Sequence, residues 1–194
     1  MIAHFDISRE RSLRAVEEAM EQDQKIYLVT QRNVDSEDPT QEDLYQMGIV
    51  ADIKQVVRLQ NDVVRILVDG ISRAALLGFT GNEKYLEAEI CYCDSNADSL
   101  PEDLREAMLL GVREAFHRYA AVVGKISKEL IRQIDQYEDL EKLIDYVTNN
   151  LPVSYELKQQ VLEAEDINDR YQVIVSLLIS QVEVISIKNE LQKK

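Results

Sequence analysis

The sequence predicts an α+β protein in which a β-rich subdomain, residues 1–95, is followed by an all-α helical bundle, residues 96–194. The first subdomain contains runs rich in Val, Ile and Tyr in which apolar and polar side chains alternate, as in strands with two unequal faces. The second repeats apolar side chains at three- and four-residue spacing, which is typical of amphipathic helices. Between them, the run CDSNADSLPED offers several turn-forming residues, so the boundary is expected there.

One helix and four strands are predicted in the first subdomain. Residues 8–22 carry apolar side chains at helical spacing, with Ser8 as the expected N-cap. Residues 34–43, VDSEDPTQED, are acidic, contain a proline and lack an apolar period, so we expect an exposed loop. The strands are predicted at residues 25–31, 48–59, 62–80 and 85–93.

Five helices are predicted in the second subdomain. Pro101 fits the first turn of one helix, and Ser127 is the expected cap of the next. Neither glycine nor proline interrupts residues 167–194, which predicts one long C-terminal helix of about 40 Å. Lysines near its end suit the negative pole of the helix dipole: Lys188, Lys193 and Lys194. The helices are predicted at residues 99–124, 127–136, 140–149, 154–165 and 167–194.

The charge balance excludes several classes of partner. The chain has 36 acidic and 22 basic residues, a formal charge of −14 and no basic cluster, so nucleic acid is an unsuitable partner. No apolar stretch reaches the roughly 18 residues that span a bilayer, and residues 1–11 lack a signal-peptide core. A cytoplasmic location is expected. Cys91 and Cys93 lie two apart in a predicted strand and are interpreted as small apolar residues, and no disulfide is expected between them.

Several motifs resemble the amino-terminal domain of the Lon ATP-dependent protease. The string VVRILVDGISRA resembles the family's signature, which reads Val-Leu-Val-Glu-Gly-x-x-Arg-Ala. FDISRERSLRAVEEAM is similar to the family's second strand and first helix, and NNLPVSYELKQQVLEAEDINDRYQVIVSLL to its later helices. The likeness covers nearly the whole chain, and its motifs follow the family's order.

The chain departs from the family pattern in its first strand, in its hairpin and at His4, where the family more often has proline. The family normally begins with a strand that carries Pro-Leu-Arg, whereas this sequence opens at Met1 about where that strand has already turned. A missing first strand would leave a sheet edge open, so we expect some dimerisation by edge pairing or segment exchange. In the hairpin, Gln60-Asn61-Asp62 replaces the family's Pro-Asp-Gly, but Asn61 still tolerates the positive φ of a tight turn.

The resemblance implies a PUA-like β subdomain and a helical bundle whose last helix leads towards an ATPase. It implies a non-catalytic domain that recognises unfolded or damaged protein clients and supports a homo-oligomer, a hexamer in the full-length family. ATP and Mg²⁺ belong to the full-length protein, and no cofactor is expected in this chain. No G-x-x-x-x-G-K-[ST] loop is present, and the adjacent Ser127 and Lys128 are better explained by a helix cap than by a protease Ser-Lys pair.

Candidate client-binding residues are apolar positions near the ends of the long predicted strands. Each of them could instead belong to the core. Gly48, Gly70 and Arg73 are interpreted as structural: Gly70 would mark a bulge, and Arg73 would brace its neighbours, with Glu89 as one conceivable partner. The candidate client-binding residues are Tyr45, Met47, Leu59, Val63, Leu77 and Phe79.

Two other functions remain open on the sequence. A stand-alone adaptor with a Lon-like amino-terminal domain would bind another protein or a small ligand, and the continuation of the reading frame would distinguish it. A metal-dependent hydrolase would use the acidic cluster around Asp135, although the sequence offers no EF-hand spacing. Metal analysis would test that alternative.

Overall fold

The computed structural model describes residues 2–192 and divides into two compact units, with the boundary between Cys93 and Asp94. We call them the sheet unit and the helical unit. The predicted α+β class is confirmed, because an antiparallel sheet is followed by a set of helices that ends in a long one.

The sheet unit contains one antiparallel sheet built around a long central strand. The elements are β1 (Ile2–Ile7), α1 (Glu10–Glu21), β2 (Lys25–Leu28), β3 (Met47–Arg58), β4 (Val64–Phe79) and β5 (Ala88–Tyr92). The central strand, β4, pairs along one edge with β3, and its other edge pairs first with β1 and then with β5. β2 continues the sheet beyond β3.

Helix α1 covers one face of the sheet through Val16, which packs in a core with Ile53 and Ile66. The predicted cap at Ser8 is wrong. The first helical hydrogen bond runs from the Leu13 amide to the Arg9 carbonyl at 2.9 Å, so Arg9 is the N-cap residue, and its side chain makes no capping bond. Strand β1 extends to Ile7 and leaves the chain two residues in which to turn, which moves the helix start past Ser8.

The β3–β4 hairpin closes through a two-residue turn. Asn61 and Asp62 have φ values of 59° and 57°, and the Val63 amide donates to the Gln60 carbonyl at 3.4 Å. Two central residues with positive φ are the mark of a type I′ turn, which matches the natural twist of paired strands. The expectation that Asn61 would permit this turn is confirmed.

A bulge interrupts the pairing of β3 with β4. Val50 pairs with Ser72 and Ala51 with Gly70, so Ile71 has no partner on β3 and is half exposed. Gly70 therefore lies directly beside the bulge. An extra residue on one strand bends it and increases its twist, and here the bend falls between the half of β4 that pairs with β1 and the half that pairs with β5.

Gly48 allows the close approach of Tyr27 to β3. A Cβ at position 48 would overlap the Leu28 carbonyl and lie 2.7 Å from the Tyr27 ring. The Tyr27 hydroxyl passes this point and donates to the Ala74 carbonyl on β4 at 3.0 Å. Burial raises the pKa of Tyr27 to about 12. Tyr27 thus ties β2 to β4 across β3, and only glycine at position 48 leaves room for it.

The helical unit contains five helices around one apolar core. The predicted starts and stops are confirmed at two ends: Ser127 Oγ accepts the Leu130 amide at 3.1 Å, and Gly124 ends a helix with φ 69°. Lys193 and Lys194, predicted at the end of the last helix, lie outside the described residues. The helices are α2 (Glu102–Val123), α3 (Lys128–Gln136), α4 (Leu140–Asn150), α5 (Tyr155–Glu163) and α6 (Ile167–Gln192).

Arg170 is the largest side chain that the helical unit buries, with 2% of its surface exposed. Its guanidinium contacts Asp145 and lies 3.6 Å from Glu141, both on α4. Its Nε donates to the Val161 carbonyl on α5 at 3.4 Å. A charge out of water needs partners of this kind. Arg170 therefore joins α4, α5 and α6.

Helix α6 is long and apolar enough, by length and composition, to cross a membrane. The sequence-based expectation that the chain holds no such segment is therefore wrong. Within the helical unit, however, Ile167, Ile174 and Leu178 on this helix lie in the apolar core, together with side chains of α2 and α4. The first half of α6 is thus a core helix of the bundle, whereas Val184, Ile187 and Leu191 further along are exposed.

Candidate functional site

The six predicted client-binding residues lie at two separate ends of the β3–β4 pair. Leu59 and Val63 flank the hairpin turn. The other four lie near the opposite end, where β3 begins and β4 finishes. Because β3 has 12 residues, the two ends are about 35 Å apart. The six residues therefore cannot contact one client side chain together, although each end could act alone.

At the open end of this pair, Leu76 and Leu77 differ in exposure, and Leu77 lies at a bulge in the pairing of β4 with β5. Leu76 is buried, whereas Leu77 is 59% exposed. Tyr45, Met47 and Phe79 are partly buried. This end therefore combines an apolar floor with side chains that a client could still reach.

Residues 29–46 form a loop that folds over the open end. It contains an isolated bridge between Gln31 and Leu44 and a short 3₁₀ helix at Gln41–Asp43. Thr40 and Asp43 form a capping box: the Thr40 amide donates to Asp43 Oδ2 at 2.8 Å, and the Thr40 hydroxyl at 2.9 Å. These two hydrogen bonds lower the pKa of Asp43, and the bond from the Thr40 amide has the larger effect. The pattern Thr-x-x-Asp could have revealed this turn in the sequence.

The loop is attached to β4 by a side chain. Gln41 Nε2 donates to the Leu77 carbonyl at 3.2 Å. Arg32 stabilises the loop internally. Its Nε donates to the Leu44 carbonyl at 3.1 Å, and its guanidinium carbon lies 4.6 Å from the centre of the Tyr45 ring. A cation over an aromatic face is attractive, so Arg32 holds Tyr45 in place beside the strand ends.

Two cavities lie between the loop and the end of β4. The first, about 800 Å³, is lined by Leu44, Tyr45 and Leu76 and bordered by Arg32 and Glu42. The second, about 410 Å³, lies against Phe79 and Leu86 and is bordered by Arg11, Asp38, Glu83 and Glu87. Thr40 and Gln41 line both cavities, which makes them neighbours. We call the two together the open-end groove. Volumes of several hundred Å³ are those of ordinary ligand sites.

Among the predicted client-binding residues, Tyr45 and Phe79 line the groove directly, and Leu77 lies on β4 between Leu76 and Phe79. Sequence reasoning missed Arg32 and Gln41, because they belong to a segment without a regular period, and Leu86, which it placed in a predicted strand although β5 begins at Ala88. The groove offers apolar contacts, main-chain groups and a few charges. It is a surface for binding by shape and polarity.

Gly48, Gly70 and Arg73, interpreted from the sequence as structural, all lie in the sheet. Arg73 is buried on β4 opposite Ile49, and its carbonyl accepts the Cys93 amide at 3.1 Å. The register pairs Glu89 with Gly78, five residues along β4 from Arg73.

The acidic region near Asp135 contains one histidine contact. His117 Nε2 lies 2.7 Å from Asp135 Oδ1, and both side chains are nearly half exposed. Among residues 2–192, no group of three or more His, Cys, Asp and Glu side chains is placed to hold a metal ion. Ser127 caps α3.

Comparisons with known proteins point to one family. The family model described as the substrate-binding domain of the ATP-dependent protease La (LON) matches residues 1–180. The Lon protease of Lachnoclostridium phytofermentans is 36% identical over 194 residues, which is 100% of this chain and 24% of that relative. The Lon protease of Clostridioides difficile is 32% identical and covers 98% of this chain and 25% of that relative. The chain thus spans about a quarter of the length of these relatives.

Two solved structures share the fold. The N-terminal domain of the Mycobacterium avium complex Lon protease has a TM-score of 0.73 at 18% identity, over 92% of this chain and 89% of that chain. A Lon N-terminal domain protein from Xanthomonas campestris has a TM-score of 0.59 at 12% identity, over 91% and 89%. At these low sequence identities, the structural likeness shows a shared fold alone.

Proposed function

Because the chain belongs to the family of Lon substrate-binding domains, we propose that it binds unfolded or damaged protein clients for an ATP-dependent Lon protease. The observation that carries this proposal is the match of that domain over residues 1–180. The chain corresponds to a quarter of its relatives' length and to their substrate-binding domain, so it is not itself the protease. In this proposal, ATP, Mg²⁺ and peptide-bond hydrolysis belong to portions of a Lon chain that this sequence does not match.

We place the client in the open-end groove. An extended, unfolded segment could bury an apolar side chain beside Tyr45 and Phe79. Such contacts tolerate many sequences, as a quality-control protease requires. Each buried side chain contributes at most about 1.5–3 kcal/mol before ordering costs, so a single groove would bind weakly. Several copies in one oligomer would raise the avidity without any new contact.

Replacing Leu77 by serine tests this placement, with Leu59→Ser as the matched control. Leu77 and Leu59 are both exposed leucines in the same strand pair, at 59% and 40%, but they lie at opposite ends. We expect Leu77→Ser to weaken the binding of a labelled, reduced and carboxymethylated protein about fivefold, which corresponds to about 1 kcal/mol of lost apolar burial. Leu59→Ser should leave the affinity unchanged. Fluorescence anisotropy would give both dissociation constants.

Each other outcome of this comparison has a definite meaning. Weaker binding in Leu59→Ser alone would move the client site to the hairpin end. Equal affinities in both variants and the parent chain would remove both ends of the β3–β4 pair from the site. A parent chain that binds no unfolded protein would contradict the recognition function itself.

We further propose that the domain supports a homo-oligomer, hexameric in the intact protease, and that the isolated chain can dimerise. Two exposed features support this. Within residues 2–192, strand β1 pairs with β4 alone, so its outer edge can accept another strand. The exposed apolar residues near the end of α6 offer a second surface: Val184, Ile187 and Leu191. Sedimentation equilibrium should detect a dimer at high concentration, and a monomer throughout the accessible range would contradict the self-association of the chain.

A cytoplasmic location is part of the same proposal. The burial of Ile167, Ile174 and Leu178 from α6 in the helical core supports it, because those side chains are occupied by protein contacts. Fractionation of cells that express the chain would test it, and recovery with the membranes after a carbonate wash would contradict it.

A further inference from the structure

We propose that the open-end groove selects client segments in which an apolar side chain is flanked by lysine or arginine, and that it disfavours acidic segments. This inference rests on the proposed function, because it names the chemical class of client for the same site. The charges around the two cavities carry it.

Carboxylates outnumber cations around the groove. Its borders carry four carboxylates and two guanidinium groups. Both guanidinium groups already have partners within the domain: Arg11 forms an ion pair with Asp38 at 3.0 Å, and Arg32 lies over the Tyr45 ring and donates to the Leu44 carbonyl. The cations of the groove are thus occupied, and an acidic client segment would have to compete for them.

Two of the carboxylates remain available to a client. Glu42 borders the first cavity and Glu83 the second, both are exposed, and neither forms an ion pair within the described part of the chain. Glu87, by contrast, accepts the Thr80 hydroxyl at 2.5 Å. Because the available carboxylates lie one beside each cavity, cationic residues on both sides of a bound apolar side chain could pair with them.

The floor of the groove provides the apolar half of the recognition. Leu44 and Leu76 are buried beneath the first cavity, and the ring of Tyr45 forms part of its wall. A client segment with an aliphatic or aromatic side chain can bury it there, while its flanking lysines or arginines stay at the rim in water. Apolar centres with charged rims are the usual organisation of protein interfaces.

The net charge of the whole chain acts in the same direction. A formal charge of −14 attracts cationic segments and repels acidic ones before contact is made. Steering of this kind is general to the surface, however, whereas Glu42 and Glu83 are specific to the groove. General steering and groove-specific pairing can be separated by substitutions that remove the same charge inside and outside the groove.

Three synthetic peptides with the same central Leu-Phe-Leu and with flanking lysines, serines or glutamates would test the inference. We expect the lysine peptide to bind the chain roughly tenfold more tightly than the serine peptide, as two exposed ion pairs allow, and the glutamate peptide more weakly than either. The preference should shrink at high salt, because exposed charges are screened.

The double variant Glu42→Gln/Glu83→Gln should lose most of the lysine preference while its affinity for the serine peptide stays unchanged. The control is Glu106→Gln/Glu114→Gln, which removes the same charge from exposed positions on α2 and should keep the preference. An equal loss in the control would overturn the groove-specific recognition and leave only general steering.

The test separates this inference from the proposed function. If the serine peptide binds and Leu77→Ser weakens it, but all three peptides bind equally, the charge selection fails while client recognition in the groove stands. If no peptide binds, the proposed client site and the charge selection both fail.

Discussion

Removing both carboxylates that face Arg170, in Glu141→Ala/Asp145→Ala, is expected to lower the free energy of unfolding of the helical unit by about 3 kcal/mol or more. Arg170 is 2% exposed, so its charge would stay buried without either partner. A buried charge without a counter-charge is much more costly than a missing surface ion pair. Urea unfolding followed by far-ultraviolet circular dichroism would measure the loss.

The control is Arg170→Met, which removes the buried charge and keeps a side chain of comparable length. Asp145 and Glu141 are 47% and 40% exposed, so water can solvate both carboxylates once the guanidinium is gone. We therefore expect this variant to lose only about 1–2 kcal/mol, less than the double alanine variant does. A larger loss in Arg170→Met would show that the packing of the arginine stem outweighs its charge pairing.

Gly48→Ala is expected to destabilise the sheet unit by about 3 kcal/mol. The new methyl group would overlap the Leu28 carbonyl, which is backbone and cannot rotate away, and would press on the Tyr27 ring. Relief would require β2 to move from β3 or Tyr27 to give up its hydrogen bond to Ala74. Amide hydrogen exchange of β2 and β3, followed as a function of denaturant, would report the change in the sheet unit.

Gly78→Ala provides the matched control in the same sheet. The nearest atom to a Cβ at position 78 is Gln41 Oε1 at 3.8 Å, an ordinary contact distance, and Gly78 does not have the positive φ that would strain alanine. We expect stability within about 0.5–1 kcal/mol of the parent chain, on either side. If both variants were equally destabilised, the close approach of Tyr27 and the Leu28 carbonyl to position 48 would not explain the result, because position 78 has no such contact.

Much of the fold could be predicted because its signals are local. Ser127 caps α3, Gly124 ends α2 and Asn61 forms the hairpin turn, each through its own backbone geometry or side-chain hydrogen bond. The helix start at Arg9 could not be read from the preference of serine for capping, because strand β1 determines where the chain can turn. The expectation for α6 failed for a related reason: the same apolar composition suits a core helix and a membrane span.

The candidate site could be predicted only in part. Apolar residues at strand ends were identifiable from the alternation of side chains, and Tyr45, Leu77 and Phe79 do lie at or beside the groove. The sequence could not show that Leu59 and Val63 lie at the opposite end, since this depends on the register and direction of both strands. Nor could it show that the side chain of Gln41 joins the loop to β4.

By itself, the sequence determined the fold class, the order of the helices and of four of the five strands, and the family, because periodicity, caps, turns and ordered motifs depend on residues close together in the chain. The tertiary structure alone decided which distant residues meet. It placed Arg170 between two carboxylates, Tyr27 across Gly48, and the loop over the end of β4. Such contacts are set by strand register and helix packing. These minimise the number of buried polar groups without a hydrogen-bond partner, and the empty volume, over the whole unit at once.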